Sequence, residues 1–223
     1  VDADAVEVAY QPQRLQVGNM DRRYFIAHEL FDGEALSVRL SRTGALPFSE
    51  AHPIMLKTAG ALEALHGARQ CHGDLKLENI ITSHANGMHE LQLQDAGADL
   101  LRATQTSTGR LPVLSLASPK ILAPEQLRGG ARGPASDVYA FGVTFYELVS
   151  GRPPFVAESA LDTALQHLTA EPPPPSAYAP RGWVPEALDR FLVRLLAKDP
   201  SSRPANGAEL ARELERVWNV PAA

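Results

Sequence analysis

The chain has 223 residues, 44% of them hydrophobic and 21% charged, with a formal net charge of −5. That length and balance suit one sizeable domain with a buried core and exclude a disordered tail. The acidic balance, with no block of lysines or arginines, leaves no basic footprint for nucleic acid or an anionic membrane.

Cys71 is the single cysteine, so no internal disulfide can form, and no Cys/His group has zinc spacing. No stretch approaches about 20 uninterrupted apolar residues, and the start Val-Asp-Ala-Asp lacks a basic, apolar leader. The expectation is a cytoplasmic protein with no membrane span in this segment, which leaves room for an anchor elsewhere in a longer parent. A start on Val1 rather than methionine suggests a fragment or a processed form.

In chain order, Val6–Tyr10 and Arg23–Leu30 read as two strands joined by a turn at Gly18-Asn19-Met20-Asp21. From Ser49 and Glu50 onward, Ile54, Leu56, Ala59, Leu62, Leu65 and His66 recur at helical spacing and predict a long helix running toward Cys71. Cys71, at the end of that apolar passage, reads as a small buried thiol rather than a nucleophile. Asn79–Thr82 and Leu91–Gln94 flank a Gly-containing turn, a hairpin that would bring Asn79 and Asp95 to neighbouring strand ends. Residues 98–121 show no sustained period and are long for a connection. Asp137–Leu148 is apolar on nearly every face, which predicts a helix buried on all sides and ended at Gly151. Further helices are predicted at 158–170, 184–198 and 207–217, the last two parted by Pro200 and Pro204.

The run His72-Gly73-Asp74-Leu75-Lys76-Leu77-Glu78-Asn79 packs a candidate base, a cation and a metal-ligand amide into one loop. Such a set suits phosphoryl transfer, where catalysis is mostly positioning and charge neutralisation. Alone, the run reads more readily as a polar turn between a helix and a strand. Its company is more specific: Asp95-Ala96-Gly97, then Ala123-Pro124-Glu125, Ser136 to Gly142, and Asp199 to Pro204. In this order the segments resemble the catalytic loop, D-F-G, A-P-E and later motifs of eukaryotic-type protein kinases, nearest to bacterial Ser/Thr kinases. The resemblance runs from about Arg23 to Val217, with Tyr24–Glu34 similar to the strand that enters the hinge between the lobes.

The resemblance implies an α+β, protein-kinase-like fold: a mainly helical C-lobe (33–223) preceded by a short remnant of the N-lobe sheet (1–32). It implies Asp74 as catalytic aspartate, Lys76 beside the transferring phosphate and pointing to Ser/Thr specificity, and Asn79 with Asp95 as Mg²⁺ ligands. ATP would use backbone groups of Glu29 and Phe31, with Ile81 beneath adenine and Glu34 toward ribose. His28 falls where the family usually has an apolar residue, and reads as a partly buried histidine satisfied by one hydrogen bond. Glu125 and Arg203 would form a structural ion pair, and Asp137 would accept hydrogen bonds from the catalytic-loop backbone.

The chain also departs from the pattern. Its lysines are Lys57, Lys76, Lys120 and Lys198, none ahead of the hinge, and Gly18 is the only glycine before it. The phosphate-holding lysine and the Gly-rich loop are therefore missing. Gly73 stands where many kinases have arginine, and Ala96 replaces the D-F-G phenylalanine, a ring whose loss from a tight core costs roughly 3–5 kcal/mol unless neighbours fill the space. Thr104, Thr106, Ser107 and Thr108 read as ordinary loop polarity or as phosphorylation sites. The functions to weigh are a Ser/Thr protein kinase acting on a protein substrate with its ATP-covering lobe supplied elsewhere or by a partner chain, a pseudokinase scaffold for a signalling partner, and a small-molecule phosphotransferase. The A-P-E segment and the Asp199–Pro204 motif argue against the last.

Overall fold

The structure is a computed structural model and describes residues 16–20, 23–27, 31–83, 90–96 and 121–219. Strands β1 (Gln16–Met20) and β2 (Arg23–Ala27) form an antiparallel hairpin. Gly18, Asn19 and Met20, read above as a turn, lie inside β1 and pair with Phe25, Tyr24 and Arg23. Ladder hydrogen bonding overrides the turn preference of Gly-Asn there. Val6–Tyr10 and His28 lie outside the described residues.

A second antiparallel sheet has the order β3 (Glu34–Ala35), β4 (Ile80–Ser83), β5 (Glu90–Leu93). Helix α1 (Leu36–Thr43) follows β3 directly and was not anticipated, since only Leu36 is fully buried and the remaining helix carries Ser and Arg on open faces. Gly44, at φ 73, ends it by sending its N–H to the Leu40 carbonyl.

The rest is helical: α2 (Phe48–Gly67), α3 (Pro124–Leu127), α4 (Pro134–Ser150), α5 (Ala160–Thr169), α6 (Glu186–Leu195) and α7 (Gly207–Trp218). Helix α2 buries Ala51, Met55, Ala59, Leu62 and Leu65 along one stripe, mainly against α7 and α4. Helix α4 starts with Pro134 at its first position, where the missing N–H costs nothing, and stops at left-handed Gly151. Between those ends almost every residue from Ser136 to Val149 is buried, as its unbroken apolar character requires. Gly142 lets α6 approach, since a Cβ there would stand 2.8 Å from that of Leu195. Ser159 and Asn206 cap α5 and α7 by accepting the N–H groups of Asp162 and Glu209.

The core therefore lies around α4, with α2, α6 and α7 packed on it and the β3–β4–β5 sheet at one end. The architecture is α+β, a helical lobe with a small β portion. Among the described residues no helix is long and apolar enough to cross a membrane.

Candidate functional site

Helix α2 ends at Gly67, and the chain turns through Arg69 at φ 57 into an irregular run, 71–76. The run is fixed from below by α4. Asp137 accepts the His72 N–H on Oδ2 at 2.7 Å and the Gly73 N–H on Oδ1 at 2.8 Å. Gly73 sits at φ 80, a conformation that a glycine reaches without Cβ strain. The absent arginine is thus matched by a backbone shape that suits glycine.

His72 is fully buried, and its Nδ1 accepts the Asp74 N–H at 3.3 Å. Burial pushes its pKa down, against the opposing charges of Asp137, Asp74 and Asp95 and the Gln94 backbone. A neutral imidazole packed under the loop positions the Asp74 backbone.

Asp74 is 8% exposed, and its carboxylate is shared. Lys76 Nζ lies 2.7 Å from Oδ2, and Asn79 Nδ2 donates to the Asp74 carbonyl at 2.8 Å and lies 3.4 Å from Oδ2. One cation and one amide therefore converge on one buried carboxylate. Asn79 ends a single 3₁₀ turn, Leu77–Asn79, and its carbonyl accepts the Gln94 N–H at 2.8 Å.

That bond and the Ile80↔Leu93 pairing put Asn79 and Asp95 at the same end of the β4–β5 ladder. Asn79 uses its amide nitrogen on Asp74, so its Oδ1 is not engaged there, and the Asp95 carboxylate has no ion-pair partner among the described residues. Asp95 adopts φ 60, an uncommon backbone state for a residue with a side chain. Two oxygen donors of this kind fit a hard divalent cation such as Mg²⁺. Ala96 packs, partly buried, against the core.

On the nucleotide side, Ile81 is 8% exposed and pairs with Ala35, and the Phe31 ring comes so close to Gly33 that a Cβ there would be 3.0 Å away. The same Cβ would meet Ile81 Cγ2 at 2.9 Å, so Phe31 and Ile81 converge over Gly33. The Glu34 carboxylate pairs with Arg42 at 2.8 Å. Glu29 lies outside the described residues, as do residues 97–120 with the threonines of that segment. Gly73, Asp74 and Leu75 line a small recess together with Ile121, Leu122 and Gln126 and with Asp137 and Ala140 of α4.

Cys71 is half-buried, and burial with the Asp137 charge raises its thiol pKa, against a smaller opposing pull from Arg132. A raised thiol is a poor nucleophile at neutral pH.

Residues 13–215 match the protein kinase domain family. The serine/threonine-protein kinase pkn3 of Myxococcus xanthus is 36% identical over 203 residues, which are 88% of this chain and 37% of that protein. PrkC of Bacillus subtilis is 32% identical, with 92% of this chain and 30% of that protein covered. The chain thus spans only about a third of the length of these relatives. The crystal structure of the Mycobacterium tuberculosis PknI kinase domain superposes with a TM-score of 0.69 at 26% identity, covering 95% of this chain and 75% of that one. The chain belongs to the protein kinase domain family, among the eukaryotic-type Ser/Thr kinase domains of bacteria.

Proposed function

We propose that this chain supplies the catalytic half of a Ser/Thr protein kinase site and transfers phosphate from Mg-ATP to a protein hydroxyl when an ATP-covering lobe completes it. The observation that carries this reading is the buried Asp74 carboxylate with Lys76 at 2.7 Å and Asn79 bound to its carbonyl at 2.8 Å.

In this reading Asp74 orients the acceptor hydroxyl and takes up its proton, since an ionised carboxylate is a hydrogen-bond acceptor only. Lys76 is a compact cation that holds Asp74 in place and offsets charge on the transferring group. Asn79 Oδ1 and Asp95 would hold the cation, and Phe31, Ile81 and the backbone around Glu29 would receive the adenine. The bound nucleotide supplies the phosphoryl group.

A second reading, a scaffold that no longer transfers phosphate, is favoured by Ala96 in the place of the D-F-G phenylalanine. The test is a radiolabel transfer assay on a basic protein substrate, with the N-lobe of an active relative fused ahead of Phe31. Transfer that Asp74→Asn abolishes supports the kinase reading. No transfer, with nucleotide bound, selects the scaffold.

A further inference from the structure

Lys198 lies in the turn between α6 and the 3₁₀ turn Pro200–Ser202, half-buried. Its Nζ stands 4.4 Å from the centre of the Phe155 ring and 3.4 Å from the Gln166 carbonyl of α5. Among the described residues no carboxylate lies within ion-pair distance of it. Lys76, by contrast, is tied to Asp74 at 2.7 Å.

An ammonium has three donors to satisfy. A ring face attracts a cation but is no substitute for water at three N–H groups, and one long bond to a carbonyl leaves most of the lost hydration unreplaced. The charged neighbours add to this. Arg203 reaches the Lys198 carbonyl with Nη2 at 3.5 Å, and its charge and that of exposed Arg128 repel the ammonium. Glu171 attracts it, whereas Asp199 turns its carboxylate back onto the Ser201 N–H at 2.9 Å. His167 of α5 meets the Phe155 ring edge-on at 4.8 Å and is hydrogen-bonded to Tyr139 at 2.7 Å. Burial, then the two guanidinium groups, push the lysine pKa down to about 8 against the pull of Glu171. A lysine that is partly desolvated beside other cations is an activated nucleophile.

We propose that Lys198 is an acylation site of this chain, its amine taking the acyl group of an activated donor, an acyl phosphate or a thioester. The nitrogen lone pair attacks the carbonyl carbon, the C–O bond to phosphate or the C–S bond breaks with its electron pair, and the amine proton passes to water. The product is a neutral amide, so the cationic part of the contact between this turn and Phe155 is lost. The site is independent of the phosphotransfer reading.

The test exposes the whole folded chain to acetyl phosphate in one arm and acetyl-coenzyme A in the other, and follows each lysine by peptide mass spectrometry across pH. At about pH 7 Lys198 should acylate at least about tenfold faster than Lys57, since more of its amine is unprotonated there. Its rate should rise with a midpoint at about 8. Arg128→Gln should move that midpoint up and Glu171→Gln should move it down; both side chains are exposed, so the fold tolerates either change. In urea the preference over Lys57 should vanish. Labelling of Lys198 by both donors, or by one, supports the site and names the donor. No label at Lys198 from either donor, a rate no greater than that of Lys57, a midpoint near the usual lysine value of about 10.4, or a preference that survives unfolding overturns it.

Discussion

Arg203 holds Glu125 through two hydrogen bonds of 2.9 Å each, with its side chain wholly shielded from solvent. The same guanidinium donates to the carbonyls of Ala197 and Ala135 and lies 4.7 Å above the Tyr139 ring, while Ser136 donates to Glu125 at 2.9 Å. The pair ties the short helix α3, at the end of the 97–120 segment, to α4 and to the turn before α7.

Burial alone would raise the Glu125 carboxyl, but the hydrogen bonds and charge of Arg203, with the Ser136 hydroxyl, outweigh it and leave the group below the usual glutamate range. A depressed carboxylate adds stability above its unfolded value, near 4.3, and that contribution is lost as pH falls through the folded value. Glu125→Gln strands a buried guanidinium and should cost about 3 kcal/mol at pH 7 in urea unfolding. The gap from the unaltered protein should narrow below about pH 4.

His52 should give a pH signature of the same sign, beginning at a higher pH. It stacks on Trp218 at 4.1 Å between centroids, with Phe48 edge-on at 5.3 Å, and burial pushes its pKa down to about 4. The unfolded chain binds this proton from about pH 6.5 downward and the folded chain does not, so its stabilising effect is full above about 6.5 and declines toward pH 4. His52→Phe keeps an aromatic stack without the proton, and should flatten the fall in urea midpoint across that window. An unchanged slope would count against the assignment.

Gly207→Ala should destabilise, although alanine is the better helix former, because the new methyl meets Glu63 and Leu62 backbone, which cannot move aside. A loss of about 1–3 kcal/mol or more is expected from such overpacking. Gly67→Ala, with nothing within 4 Å of the added Cβ, should be neutral or gain up to about 1 kcal/mol. Paired denaturant curves check both.

Nucleotide binding by this chain alone should be weak and dependent on Mg²⁺, since the residues placed for it here are Asn79, Asp95 and the Phe31–Ile81 side, with no lysine before Lys57. Calorimetry should show the binding lost in Asp95→Asn and on chelation, and no measurable transfer to a basic protein. Micromolar ATP affinity unaffected by Asp95→Asn would refute the cation assignment.

Much of the site was legible because its chemistry fixes residue types at short spacing. Asp74, Lys76 and Asn79 must share one loop, and the β4–β5 hairpin signal already placed Asp95 beside Asn79. Helix α4 was equally plain, since a segment apolar on every face has only the interior to go to. Helix α1 was missed because eight residues with one fully buried side chain carry little periodic signal. Gly18–Met20 misled because turn residues in a strand are judged by their partners, which lie in β2.

His66 shows the limit most clearly. Its helical spacing read correctly as part of the inward stripe of α2, but spacing says nothing of what waits there. The amino-acid sequence by itself determined the family, the order of the motifs and which side chains could do chemistry, because those depend on residue identity and local period. The resemblance already implied that Glu125 pairs with Arg203 and that Asp137 holds the catalytic-loop backbone; only the tertiary structure decided that the His72 and Gly73 amides are the ones clamped and that His66 bridges α4 to α7. Those partners are far apart in the chain, and each choice is made by packed helices bringing one donor to one acceptor.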